Sequence, residues 1–145
     1  MTRSISARNQ FLGKVSAIFE GSVNNEIIIT LETGDEIVVV ITKQSSQAMK
    51  ISLDREVVAI IKAPSMILAM PNSGFLFSAR NQFMGTIVNI TKGAVNSSIG
   101  FNTLKGLHLT AIITNDSLDE MQLAVGSEVL GLVKASNIIL ATKES

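Results

Sequence analysis

Five polar residues recur at one fixed interval in this 145-residue chain, and together they describe a chemistry. Ser6, Arg8, Thr42, Ser45 and Lys62 return 72 positions later as Ser78, Arg80, Thr114, Ser117 and Lys134. Hydroxyls, guanidinium and ammonium are hydrogen-bond donors. Each Lys is followed by an alanine, Ala63 or Ala135, whose small side chain leaves its backbone N–H approachable. The only acid kept at both positions is Glu56, repeated as Glu128. A donor-rich set with two cations suits a small, fully deprotonated oxyanion. Ser6 and Arg8, two apart, share one side of an extended segment. Thr42 and Ser45 stand at the mouth of a short predicted helix, where free N–H groups favour an anion. Plainer readings stand beside this one. The Thr/Ser pairs serve equally as helix caps, Lys62 as a solvated strand end, and Arg8 as a partner of Glu56 or a plate on Phe11.

The interval is a duplication. The hexamer SARNQF occupies 6–11 and again 78–83, and residues 6–70 align with 78–142 without a gap, identical at 24 of 65 positions. A Pro/Asn/Ser/Gly stretch, PNSGFLF (71–77), reads as the linker between a first domain over 5–70 and a second over 78–142. A third recurring group, Gly21, Val23 and Asn24 with Gly93, Val95 and Asn96, marks a turn. Its N–H groups could form an anion nest, or its Gly and Asn could serve the turn geometry alone.

Each copy reads mainly as strands. Residues 11–20, 26–32, 36–43, 56–63 and 65–70 are rich in β-branched residues, with a turn at Gly34 where a positive φ costs little. A helical turn is predicted near 45–51. In the second copy Ser117 and Glu120 of SLDE form a capping-box pattern. Five short strands and one helical turn per copy predict an all-β protein of tandem OB-like barrels. Units of about 65 residues bury a modest share of their surface. Runs such as IIITL and IVVVI are apolar on both faces, so the units are expected to pack together and chains to associate.

Composition excludes other classes. Twelve basic residues balance twelve acidic ones, which argues against a partner recognised through its phosphate backbone. Aromatics are 4%, with no Trp or Tyr, too few for a base-stacking surface. Absence of Cys removes thiol and disulfide chemistry, and the single His108 cannot build a multi-histidine metal site. No recurring acid pair or His-centred group supports catalysis. The longest apolar runs are too short to span a bilayer, and no secretory signal opens the chain. The expected setting is the cytoplasm.

With SARNQFLG, GSVNNE, ITKQS and VAIIKAPSMILA on the page, and their second-copy counterparts, the chain resembles the molybdenum-binding Mop domain of the molbindins, in its two-copy form. The resemblance implies a non-enzymatic protein that binds molybdate, and tungstate, for intracellular storage or homeostasis. It implies strand-exchanged domains in a homotrimer of two-domain chains, with oxyanion sites at subunit interfaces. The implied ligands are Ser6, Arg8, Thr42, Ser45, Lys62 and the Ala63 N–H, with Ser78, Arg80, Thr114, Ser117, Lys134 and Ala135 in the second copy. The Ser-Arg and Lys-Ala halves of one pocket would come from different domains or chains. Secondary sites would surround the Gly-x-Val-Asn turns. Alternatives are an oxyanion-sensing domain of a transport or transcription system and an OB-type nucleic-acid module. The copies differ where TKQS becomes TNDS followed by Asp119 and Glu120, where Pro64 becomes Ser136, and where Glu20 becomes Lys92. Unequal sites are expected.

Overall fold

The structure, a computed structural model, describes residues 5–144. Its strands are β1 (Asn9–Glu20), β2 (Asn24–Leu31), β3 (Glu36–Thr42), β4 (Glu56–Ile61), β5 (Ile67–Ala69), β6 (Asn81–Lys92), β7 (Asn96–Thr103), β8 (His108–Thr114), β9 (Glu128–Val133) and β10 (Ile138–Ala141). Two short helices follow the third strand of each copy, α1 (Lys43–Ala48) and α2 (Asn115–Glu120). Three-residue 3-10 turns, Ala63–Ser65 and Ala135–Asn137, precede β5 and β10.

The repeats in sequence are not the compact units in space. One unit contains the residues up to Ile61 together with those from Lys134 onward; the other contains Lys62–Val133. The expected domains, 5–70 and 78–142, each give up their last strand. In the first unit the strand order is β10-β4-β1-β2-β3; in the second it is β5-β9-β6-β7-β8. All pairings are antiparallel. β10 meets β4 with Ile138 opposite Ile61 and Ile139 opposite Ile60, while β5 meets β9 with Ile67 opposite Leu132. The first copy's tail therefore completes the second sheet, and the second copy's tail completes the first. The 71–77 segment belongs to the second unit.

Within each unit one long strand serves two neighbours. The first half of β1 pairs with β4 and its second half with β2. A bulge at Ser16 interrupts the pairing with β2, and an extra unpaired residue bends a strand and increases its twist. β6 repeats the arrangement with its bulge at Val88. The curl brings the edge strands together: β10 and the Ala135–Asn137 turn pack against β3, and β5 and the Ala63–Ser65 turn against β8. Each sheet is thus a partly closed barrel.

Alternation fills the interior. Val15, Ile27, Ile29, Ile37, Val39, Val57 and Ile61 are essentially fully buried in the first unit, as are Ile87, Ile99, Phe101, Leu109 and Val129 in the second. Each such side chain contributes roughly 1.5–3 kcal/mol. Phe83 joins this core while Phe11 is only half-buried. The turn glycines Gly34 and Gly106 have φ of 93° and 97°, as the left-handed geometry of their hairpins requires.

The helices start earlier than the SLDE pattern predicts. Thr114, not Ser117, is the N-cap: its Oγ1 accepts the Ser117 N–H at 3.1 Å. Thr42 does the same for Ser45 at 3.0 Å. Ser117 lies inside the first turn, so the expected capping box with Glu120 does not form.

Candidate functional site

The Ser-x-Arg segment enters each sheet just before its long strand, and the rest of the hexamer holds it there. Gln10 Nε2 donates to the carbonyls of Ile5 and Ala7, both at 2.7 Å. Gln82 Nε2 donates to Phe77 and Ala79 at 2.9 and 3.1 Å. Asn9 and Asn81 are almost fully buried. Their Nδ2 atoms donate to Ile61 O at 3.2 Å and Val133 O at 3.3 Å, the last carbonyls before Lys62 and Lys134. The structure divides the polar residues of the repeated hexamer between two tasks. Ser6, Arg8, Ser78 and Arg80 are exposed, while Asn and Gln spend their amides on the backbone. The signal available in sequence was only that these amides recur unchanged.

The Lys-Ala element opens a tight turn. Lys62 O accepts the Ser65 N–H at 2.9 Å, and Lys134 O accepts that of Asn137 at 2.9 Å. Ala63 and Ala135 are the buried first residues of these turns, the position whose N–H a helical turn leaves without an internal partner. Lys62 and Lys134 are exposed. The Thr/Ser element carries a doubled contact: besides the cap bonds, Thr42 and Ser45 hydroxyls are 2.9 Å apart, and those of Thr114 and Ser117 3.0 Å apart.

Strand exchange redistributes these elements. The first unit holds Ser6, Arg8, Thr42 and Ser45 from the first copy with Lys134 and Ala135 from the second. The second unit holds Ser78, Arg80, Thr114 and Ser117 with Lys62 and Ala63. Each unit therefore contains one complete set, drawn from both copies. Register brings two of its parts to one sheet end, since Asn9 pairs with Ile61 and Ile61 with Ile138. The Ala135–Asn137 turn packs on β3, the strand that ends at Thr42. The donor side chains lie on the surface of the unit, with Ser117 half-buried. A cavity of about 530 Å³ in the first unit is lined instead by residues including Leu12, Arg55, Val58 and Thr142.

At the Gly-x-Val-Asn turns the backbone is already engaged. Gly21 N–H donates to Asn24 O at 3.0 Å and Gly93 N–H to Asn96 O at 2.9 Å. A Cβ at either glycine would lie 2.5 or 2.6 Å from that same oxygen, so only glycine permits the closure. Val23 O and Val95 O accept the first helical N–H, from Lys43 at 2.8 Å and Asn115 at 2.9 Å. The turn geometry thus explains Gly21, Gly93 and the Val carbonyls, and leaves the exposed Asn24 and Asn96 side chains facing solvent.

Some of the differences between copies preserve a contact or cancel each other. Lys43 Nζ reaches Gly21 O at 3.5 Å, and Asn115 Nδ2 reaches the equivalent Gly93 O at 2.9 Å. Lys92 pairs with Asp119 at 3.4 Å, so two of the substitutions noted in the second copy neutralise each other. Asp116 in the first turn of α2 has no acidic counterpart in α1. Among the described residues no cluster of His, Cys, Asp and Glu could hold a metal ion, and no helix is long and apolar enough to cross a membrane.

The TOBE-domain model matches residues 5–68 and again 78–140. The structure is similar to that of the cytoplasmic molybdate-binding protein ModG with molybdate bound: TM-score 0.90, 40% identity, covering 96% of this chain and 99% of that one. The molybdenum transport protein ModE of Herbaspirillum seropedicae is 35% identical over 144 residues, 99% of this chain but 54% of ModE. The chain thus spans about half the length of that relative. Molybdenum-pterin-binding protein 3 of Clostridium pasteurianum is 39% identical over 67 residues, 46% of this chain and 98% of that protein. Two successive family matches, and a likeness to ModG across nearly the whole of both chains, place this protein: it belongs to the TOBE-domain family, in the two-copy form of the molbindins.

Proposed function

We propose that this protein binds molybdate, and tungstate, as an intracellular store without catalysing a reaction. The observation that carries the reading is that each compact unit holds one full donor set, three hydroxyls and an alanine N–H with an Arg and a Lys, assembled from both copies. A tetrahedral dianion is recognised by such charge-assisted donors. Ser6, Arg8, Thr42 and Ser45 would act with Lys134 and Ala135, and Ser78, Arg80, Thr114 and Ser117 with Lys62 and Ala63. Their exposure fits pockets completed where chains meet, in a homotrimer. Leu12/Met84, Val23/Val95, Leu53/Val125 and Ile67/Ile139 are exposed at equivalent places in both copies, which supports association. ModG's described location supports a cytoplasmic one here. Asn24 and Asn96 would contribute to secondary sites.

Equilibrium dialysis against molybdate, tungstate, sulfate and phosphate, with metal content measured per chain, tests the reading. Molybdate and tungstate should be retained in the presence of excess sulfate and phosphate; equal competition by sulfate would sink it. Arg8→Ala and Arg80→Ala should each weaken binding by roughly 10–150-fold, the value of about 1.5–3 kcal/mol for a charged hydrogen bond. The two losses should differ, because Asp116 stands at the mouth of α2 alone. Identical losses would remove the claim of unequal sites.

A second reading is favoured by the ModE likeness: the same oxyanion-binding unit as the sensing part of a longer regulator. A sensor needs a ligand-driven change of state. Sedimentation with and without molybdate separates the two, since a store should keep one association state and a sensor should change it.

A further inference from the structure

Gln10 and Gln82 recur with the donor set without belonging to it. We propose that they are positioning residues for the Ser-x-Arg arms: one side-chain amide sets the backbone bow that aims Ser6 with Arg8, and Ser78 with Arg80, at the bound oxyanion. The proposal rests on the oxyanion-binding reading above.

Residues 5–7 precede the sheet, and no ladder pairing reaches them. Their geometry is set from within the hexamer. Both hydrogens of Gln10 Nε2 are used, one on Ile5 O and one on Ala7 O, each at 2.7 Å. A single nitrogen bonded to both oxygens holds them within twice that distance. In a flat strand, atoms two residues apart are separated by about 6.5–7 Å. The arm is therefore drawn into a shallow arc with the carbonyls of residues 5 and 7 turned inward to one amide. Ser6 is the residue between those two carbonyls along the chain, and Arg8 follows directly. Gln82 repeats the clasp on Phe77 O and Ala79 O.

Stability alone does not account for the choice of glutamine. Gln10 Oε1 is buried with no hydrogen-bond partner, and an unpaired buried acceptor is destabilising. An apolar side chain of similar size would avoid that cost but would release both carbonyls. The donor end of the amide is what both copies keep. Asn9 and Asn81, one residue earlier, hold the strand ends that lead to Lys62 and Lys134, each of which belongs to the other unit's set, so neighbouring amides serve both sets.

Gln82 is exposed, so Gln82→Met should fold; it keeps the length of the side chain and removes the donors. Calorimetric titration of the full chain with molybdate should show the sites that use Ser78 and Arg80 weakened by about 10–100-fold, the usual effect of removing a group that orients a ligand. The remaining sites should be unchanged, and the ligand-free melting temperature should move by no more than a few degrees. Hydrogen exchange should accelerate at residues 78–80 and not in β7. Gln10→Met should mirror this at residues 6–8. Gln82→Glu, which turns a carboxylate toward two carbonyls, should be worse than Gln82→Met. Wild-type protein that ignores molybdate would overturn the functional reading itself. Wild-type binding that is lost in Arg80→Ala yet unaltered in Gln82→Met would overturn only this proposal.

Discussion

In the first unit Ile29 and Ala59 are both fully buried, and at the equivalent positions the second unit sets Phe101 against Gly131. One partner grew while the other shrank. A Cβ on Gly131 would lie 2.7 Å from Phe101 Cζ and 3.0 Å from Met66 Sδ, so the larger ring occupies the space that alanine's methyl fills in the other unit. The same trade recurs at the bulge, where Ala17 beside Ile28 becomes Asn89 beside Gly100. Interiors constrain total volume at a contact more tightly than the identity of either residue. Drift in the core is therefore permitted in pairs. The oxyanion donors do not drift, because no paired change lets an apolar residue take over a guanidinium's work.

Disturbing the core pair gives the largest expected effects. Phe101→Ala should cost about 3–5 kcal/mol in denaturant unfolding. Gly131→Ala alone should cost about 1–3 kcal/mol through overpacking. Combining Gly131→Ala with Phe101→Ile rebuilds the first unit's pair, and the double variant should recover most of that loss; simple additivity in the cycle would show that the two positions are uncoupled. Gly100→Ala is a control, since the clash there is with the side chain of exposed Asn89, and it should be milder than Gly131→Ala.

Smaller effects distinguish the helices. Thr42→Ala should cost about 1 kcal/mol through loss of the cap. Thr114→Ala should cost less, because Asp116 still favours the N-terminus of α2; thermal melts of the two variants side by side would reveal the order. Smallest of all is Lys92→Ala. The pair it forms with Asp119 is more than half exposed on both sides, so it should change stability by less than about 1 kcal/mol, with the difference vanishing in high salt.

Much of the fold was legible in the residues. β-Branched runs located the strands, and the Gly34 turn followed from backbone sterics. The start of the helix was misread because TNDS and SLDE both offer a hydroxyl three residues before a plausible partner; only the Thr114 bond to the Ser117 N–H decides between them. The pairing of tails was illegible for a sharper reason. Ile67-Leu68-Ala69 and Ile139-Leu140-Ala141 are identical, so side-chain pattern offers no ground for assigning either to a particular sheet. At the site, recurrence singled out the polar positions but could not separate groups that face a ligand from those that hold the backbone. Asn9 and Gln10 look like donors in a sequence, and their acceptors are carbonyls that pattern does not reveal.

The reciprocal tails carry a consequence for how damage spreads. A cut in the 71–77 stretch would not release two independent pieces. The N-terminal piece would still carry β5, a strand of the other sheet, and the C-terminal piece would still carry β10. Two broken lengths of chain would remain clasped through backbone hydrogen bonds. By the same wiring, a lesion in the last strand of one copy would first appear as melting in the unit built mainly from the other. A gene shortened to a single copy would leave its sheet without the strand that the other copy supplies here.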